Sequence, residues 1–324
     1  TVLALAFVGL LSAAEPKDMS VSPARRDDAY RLSLNGVRVA TYYIDKKYDK
    51  PFLFRLIAPG NVVVTRAWPI EPTSGVSRDH VHQKSAWFTH GEVTLENAGG
   101  DAAKPIDFWS EAPGHGKIMV TQGELPGPGK PLRSWDEWQG PDGKKVLAEA
   151  RSIALFSVAG GRLIVFDTDQ HAEFGPVVFG DTKEGAFGVR VDDLLRVGEK
   201  GKINPQSRIT NADGKQGEKA CWGYPSNWCD YSGVIDGKAV GIAIFDDPAN
   251  KPRSCWHVRD YGLMAANPFG RAKSGFPAMR GRTDVVRLAK DDHLRLRYGI
   301  FLHEGDASTG KVGEAFTQFV KLKD

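Results

Sequence analysis

Cysteine is scarce in this chain: three among 324 residues, at Cys221, Cys229 and Cys255, with no Cys-x-x-Cys spacing. A thiolate zinc site in its usual form is thereby excluded. Neither sign of charge dominates, since 43 basic residues stand against 40 acidic ones and the two are interspersed. No clustered basic stripe marks a nucleic-acid partner. Beyond the first residues, no apolar run approaches the ~20 residues that a membrane-spanning helix needs. Gly-x-Gly-x-x-Gly and Walker-type loops are missing too, so no nucleotide cofactor is signalled. Helical periodicity is nearly absent. Only residues 312–320 repeat their apolar side chains at helical spacing.

What the chain does have begins with an apolar segment over residues 1–11, followed by Ser12-Ala13-Ala14 and then Glu15-Pro16. The segment is too short to cross a bilayer. It matches the apolar core of a secretory signal, with Ser12 and Ala14 as the small residues before a cleavage point. The expectation is a signal peptide over 1–14, without its charged start and initiator Met, and one folded domain over 15–324. The product would be secreted or periplasmic. There Cys221 and Cys229, which bracket Trp-Gly-Tyr-Pro-Ser-Asn-Trp, could close a disulfide loop; three buried thiols are the alternative.

Two-residue alternation and turn signals fill the rest. Leu32 and Leu34 alternate with polar residues, Asn35-Gly36 is a type I′ turn dipeptide, and Val37, Val39 and Thr41 return as a second strand. Further strands are predicted over 52–58, 62–67, 86–95, 117–123, 146–158, 162–170, 186–191, 233–235, 239–245, 257–263 and 294–303. Gly- and Pro-rich connectors separate them. Many short strands between such turns predict an all-β protein, a large two-sheet antiparallel β-sandwich. Trp135 and Trp138 fall in a turn-rich region and are expected on an exposed lip.

Residues that are expensive to bury concentrate in four stretches. In Asp79-His80-Val81-His82, an extended chain would set both imidazoles on one face about 7 Å apart. Thr182-Lys183-Glu184-Gly185 places a carboxylate at a strand mouth, with Arg190 beyond it. Trp228-Cys229-Asp230-Tyr231 brings an acid beside aromatics. In Trp256-His257-Val258-Arg259-Asp260-Tyr261, alternation puts His257, Arg259 and Tyr261 on one strand face, with Asn267 following. Aromatic rings next to carboxylates, His and Arg are what a sugar site uses, because pyranose C–H faces stack on rings while charged planar groups bind hydroxyls. A carboxylate and an imidazole there can act as base and acid. The candidate catalytic residues are His80, His82, Glu184, Asp230 and His257. Arg190, Arg259, Tyr261, Asn267, Trp87 and Trp228 are candidates for binding the substrate. Each has a plainer reading: Glu184 as an ion-pair partner of Arg190, Asp230 as a turn cap, and Trp87, Trp109 and Trp256 as core.

Together these stretches and Asp107-Phe108-Trp109 resemble the PmoA-like family, labelled "methane oxygenase PmoA". Its Asp-His-x-His-x-x-x-x-Trp, Thr-Lys-Glu-Gly, Trp-x-Asp-Tyr-Ser-Gly and Trp-His-x-Arg-x-Tyr-Gly blocks occur in order. Gln83-Lys84 departs from it where many relatives carry a further His. The resemblance implies an exported β-sandwich similar to the galactose-mutarotase supersandwich, and a sugar substrate by association. Literal methane oxidation in a membrane is disfavoured, because the mature chain has no apolar span. Three functions stay open: an enzyme of lyase, epimerase or hydrolase type; a non-catalytic carbohydrate binder; or an enzyme with a divalent metal on His80, His82 and His257. No cofactor is required by the first two.

Overall fold

The computed structural model describes residues 18–24, 28–96, 104–199 and 202–322, so the apolar leader lies outside the described residues. The chain is all-β, with strands over nearly half its length. Sixteen of these strands build two antiparallel sheets. We number them β1 (Met19–Pro23), β2 (Ala29–Leu34), β3 (Val37–Tyr43), β4 (Phe52–Phe54), β5 (Ala86–His90), β6 (Lys117–Glu124), β7 (Leu132–Gln139) and β8 (Lys145–Val158), then β9 (Gly161–His171), β10 (Gly185–Arg190), β11 (Arg208–Asn211), β12 (Trp228–Ile235), β13 (Lys238–Asp246), β14 (Cys255–Arg259), β15 (Leu263–Asn267) and β16 (His293–Glu304). The first sheet runs β1-β2-β3-β4-β5-β10-β15-β14, and the second runs β11-β12-β13-β16-β9-β8-β7-β6. The helices are α1 (Glu218–Cys221) and α2 (Val312–Lys321).

Alternation sorts each strand's side chains between the inter-sheet core and an outer face. In the first sheet, Phe88 and Phe187 point inward and meet Phe166 and Tyr298 of the second at ring separations of 4.8–6.3 Å. Their neighbours Trp87 and Gly188 therefore point outward, where a smaller apolar cluster forms from Phe52, Phe54, Trp87, Trp109, Leu263 and Ala265. The outer face of the second sheet is covered by α2, whose Phe316 and Phe319 pack on Phe245.

The predicted hairpin forms as read: Asn35 and Gly36 have φ of 51° and 75°, the two left-handed residues of a type I′ turn. Three predicted strands break where the backbone turns. Arg55, at φ 51°, separates Phe52–Phe54 from the two-residue strand Ile57–Ala58. The 86–95 run divides at Gly91. The 257–263 run becomes β14 and β15 joined by a turn at 260–262, which removes Tyr261 from the strand it was expected to share with His257 and Arg259. The Trp135–Trp138 region is strand β7 rather than a turn-rich lip. Trp138 is fully buried, with its Nε1 donating to Glu149 Oε2 at 2.6 Å. Glu149 also accepts from Arg151 and Thr168, while Asp136 meets the same guanidinium at 2.8 Å. Two carboxyls thus share one arginine inside the sandwich. Cys221, Cys229 and Cys255 are free and buried.

Candidate functional site

One register row crosses the outer face of the first sheet: His257 opposite Ala265, Ala265 opposite Gly188, Gly188 opposite Trp87, Trp87 opposite Phe52, and Phe52 opposite Tyr43. Gly188 is small because the indoles lie on it. A Cβ there would stand 2.8 Å from Trp87 Cζ2 and 3.2 Å from Trp109 Cη2. The adjoining row carries Arg259, Leu263 and Arg190. Loops from 66–85, 107–116 and 181–184 fold over these rows and bring further polar groups to them.

His80 is held in a left-handed conformation, φ 48°, rather than in an extended strand. Its ring stacks on Tyr261 at 5.0 Å with a 3° interplanar angle, and lies 5.7 Å from the His82 ring. Asp79 Oδ2 meets His80 Nδ1 at 2.7 Å, and Asp79 Oδ1 accepts from Arg66 at 2.6 Å and Arg190 at 2.9 Å. Burial opposes ionisation of Asp79, but the bond to His80 and the charges of Arg190 and Arg66 hold it well below the usual carboxylate range. Arg190 also donates to Gln83 Oε1 at 2.7 Å, and its guanidinium sits 4.8 Å from the Tyr261 ring centre. Arg190 is therefore a buried brace for the His80 loop. Its ion-pair partner is Asp79, not Glu184.

His82 packs 6.4 Å from Trp109. Burial, then the Lys50 ammonium, pull it down to about 3, so it is neutral at ordinary pH. Lys50 and Lys84 both grip Glu111, and Lys50 also donates to Trp109 O at 2.9 Å. His257 is nearly fully buried, and its Nδ1 has no hydrogen-bond partner. Burial and then Arg259 pull it to about 3 as well. Glu184 is half-buried, and burial pushes it above the usual carboxylate range against the opposing Lys183 charge; Asp107, His80 and Arg259 also act on it. Its loop is fixed by Asn267, whose Nδ2 donates to Thr182 O at 2.9 Å and Lys183 O at 3.1 Å. The Asn267 Oδ1 accepts from the Phe269 and Gly270 amides. Asn267 is thus a scaffold for Glu184, with its amide fully used. Arg259 reaches the edge of the face and pairs with Glu218 at 3.2 Å.

The sheet face therefore gathers His80, His82, Glu184, Arg190, His257, Arg259, Tyr261 and Trp87, from segments as far apart in sequence as His80 and Tyr261. It does not gather Asp230 or Trp228. Trp228 is opposite Phe245 in register, on the α2-covered face of the second sheet, and Asp230 lies two residues along the same strand. Asp230 Oδ1 meets His303 Nε2 at 2.8 Å there, both side chains with no exposure. Among the described residues no three His, Cys, Asp or Glu are grouped to hold a metal ion. His80, His82 and His257 accordingly do not form a ligand set, and one His80 nitrogen is already committed to Asp79. The reading by residue type missed Arg66, Lys50, Lys84 and Glu111. Lys84 follows the His80–His82 block directly, while Arg66, Lys50 and Glu111 stand alone in sequence and only the fold makes them its neighbours.

Solved structures that match most of the chain include the polysaccharide lyase BACCELL_00875, with 94% of this chain covered at 12% identity and a TM-score of 0.33. The galactosidase domain of an alpha-galactosidase–sucrose kinase, AgaSK, matches over 88% of the chain at 6% identity and a TM-score of 0.40. The chain spans only 34% and 42% of these two proteins. A galactose mutarotase related enzyme from Lactobacillus acidophilus matches over 87% of this chain and 97% of its own, at 8% identity and a TM-score of 0.37. No curated protein matches the sequence. None of these matches carries the methane-oxygenase label. A family model covers residues 29–317, and the chain belongs to that family, a family of unknown function (DUF6807).

Proposed function

We propose that this chain is an exported carbohydrate-active enzyme that transfers protons on a sugar, with His80 as base and Glu184 as acid. The observation that carries this reading is the Asp79–His80 pair set beside a raised carboxyl on one sheet face. Asp79 is acceptor-only, so its contact with Nδ1 fixes the tautomer and leaves the Nε2 lone pair free on a ring whose side chain is 40% exposed. The two guanidinium groups keep Asp79 ionised, so it orients the ring and supports an imidazolium without taking the proton itself. Glu184, raised by burial, keeps its proton to a higher pH than a solvated carboxyl and can deliver it to a leaving oxygen or a carbanion.

His82 is neutral and accepts or donates hydrogen bonds to hydroxyls without adding charge, while His257 is too deeply buried to reach the ligand. Arg259 at the edge offers its guanidinium to negative charge that develops on the sugar. Tyr43 and Tyr48, partly exposed beside the apolar cluster, present ring surface to C–H faces. Lyase, epimerase and hydrolase reactions all use such an acid and base, and none needs a nucleotide cofactor. Asp230 and Trp228 have no part in this machinery because they lie on the other sheet.

The test is turnover on a panel of plain and keto glycosides, followed by Glu184→Gln. Turnover is expected to fall by about 10²–10⁴-fold with binding retained. A Glu184→Gln protein that turns over as before refutes the role given to Glu184, and an unmodified protein that binds glycosides without turning any over leaves a carbohydrate-binding sandwich.

A further inference from the structure

Two clamps underlie the His80–His82 end of the face, and each holds two cations on one carboxylate. Arg66 and Arg190, neither exposed, both bind Asp79. Lys50 and Lys84, with side chains 1% and 5% exposed, both bind Glu111. The acids next in line are already paired: Asp193 with Arg196, and Asp49 with Lys117. Each clamp therefore retains one positive charge without a matching carboxylate. A desolvated charge in that state is costly, and an incoming anion relieves it.

The His82 ring lies between the clamps, beside His80 and Trp109, and bonds no described residue through its nitrogens. Glu184 lies within reach of the charges of Lys183, Asp107, His80 and Arg259.

We infer that the ligand is an anionic saccharide, one bearing a carboxylate or a sulfate ester, with the anionic group seated at His82 above the two clamps. Lys50 and the arginines are too deep to touch it and act through their field, while His82 supplies the contact. This inference rests on the sugar reading above and narrows its substrate class.

The experiment compares binding by calorimetry of a uronate oligomer, its methyl ester, and a sulfated and an unsulfated galactan oligomer, each at low and high salt. One uncompensated charge near the ligand predicts at least about tenfold tighter binding of the acid than of the ester, and a preference that fades as salt rises. The uronate and sulfate arms identify which anion is read. Lys84→Met, which leaves Lys50 and Glu111 as a balanced pair, is expected to lower the acid-to-ester ratio several-fold, the Arg66–Arg190 clamp keeping the remainder, with unfolding temperature recorded alongside. Equal affinity of acid and ester in the unmodified protein overturns the inference while leaving the sugar reading intact. Failure to bind any saccharide overturns both.

Discussion

Replacing Asp230 by alanine separates the two roles that residue could have. Both nitrogens of His303 are engaged, Nε2 with Asp230 Oδ1 at 2.8 Å and Nδ1 with Glu304 O at 3.1 Å. A carboxylate and a carbonyl only accept, so the ring donates twice and is an imidazolium. Burial by itself would lower its pKa, but the Asp230 charge overrides that and raises it. Both side chains are wholly buried on the α2-covered face. Removing one partner of a buried ion pair costs about 3–5 kcal/mol, and His303 can shed its proton, which favours the lower end, about 3 kcal/mol. For a chain of this size that is a fall in Tm of roughly 4–5 °C. The assay is thermal unfolding beside saccharide binding and turnover. The pH dependence has a definite sign. A folded-state pKa above the ordinary value contributes stability that is complete below the ordinary histidine pKa. That stability is lost as pH rises through the folded value. The unmodified protein should therefore lose this increment as pH rises above the ordinary histidine pKa, and Asp230→Ala should not. A variant with unchanged Tm, or one that unfolds normally but has lost turnover, would refute the structural assignment.

Other perturbations test the core and the floor of the site. Asp136, buried beside Glu149 with one arginine between them, is raised by burial to about 7. The folded protein keeps a proton that the unfolded chain releases near pH 4, so stability should fall between about pH 4 and 7, by an amount on the order of 4 kcal/mol. Asp136→Asn should flatten that slope in urea unfolding at pH 5 and 8, and an unchanged slope would contradict it. Gly188→Ala drives a methyl into the Trp87 and Trp109 indoles, which should cost about 1–3 kcal/mol and change the tryptophan fluorescence; a silent substitution would mean the indoles do not lie on the sheet. Asp79→Asn should weaken the grip of Arg66 and Arg190 on the His80 loop, lowering kcat while leaving KM for a neutral saccharide nearly constant.

The fold was legible where local chemistry alone decides the backbone. Asn35-Gly36 needs two left-handed residues wherever it occurs, and 312–320 repeats its apolar positions whatever it packs on. Strand ends were less so. Gly91 and the 260–262 turn interrupt runs whose alternation continues unbroken through the break, and alternation cannot report that a chain has reversed direction. Tyr261 shows the consequence: the expected strand would have set it beside His257 and Arg259 by period two, whereas the turn sends it back over Arg190 to stack on His80. It reaches the same face by a different route. Asp230 fails for the opposite reason. Its neighbours Trp228 and Tyr231 are the residue types of a sugar site, yet residue type does not say which sheet a strand joins. The β12–β13–β16 register turns its carboxylate toward His303. The charge arrangement of the site was the least legible part. Lys50, Arg66 and Glu111 belong to no motif and Lys84 only trails the His80–His82 block, and their burial is a property of loops folding over a sheet. A protein that buries four cations on two carboxylates beneath the neutral His82 ring keeps a standing preference for an anion. Composition, balanced at 43 against 40, averages that preference away.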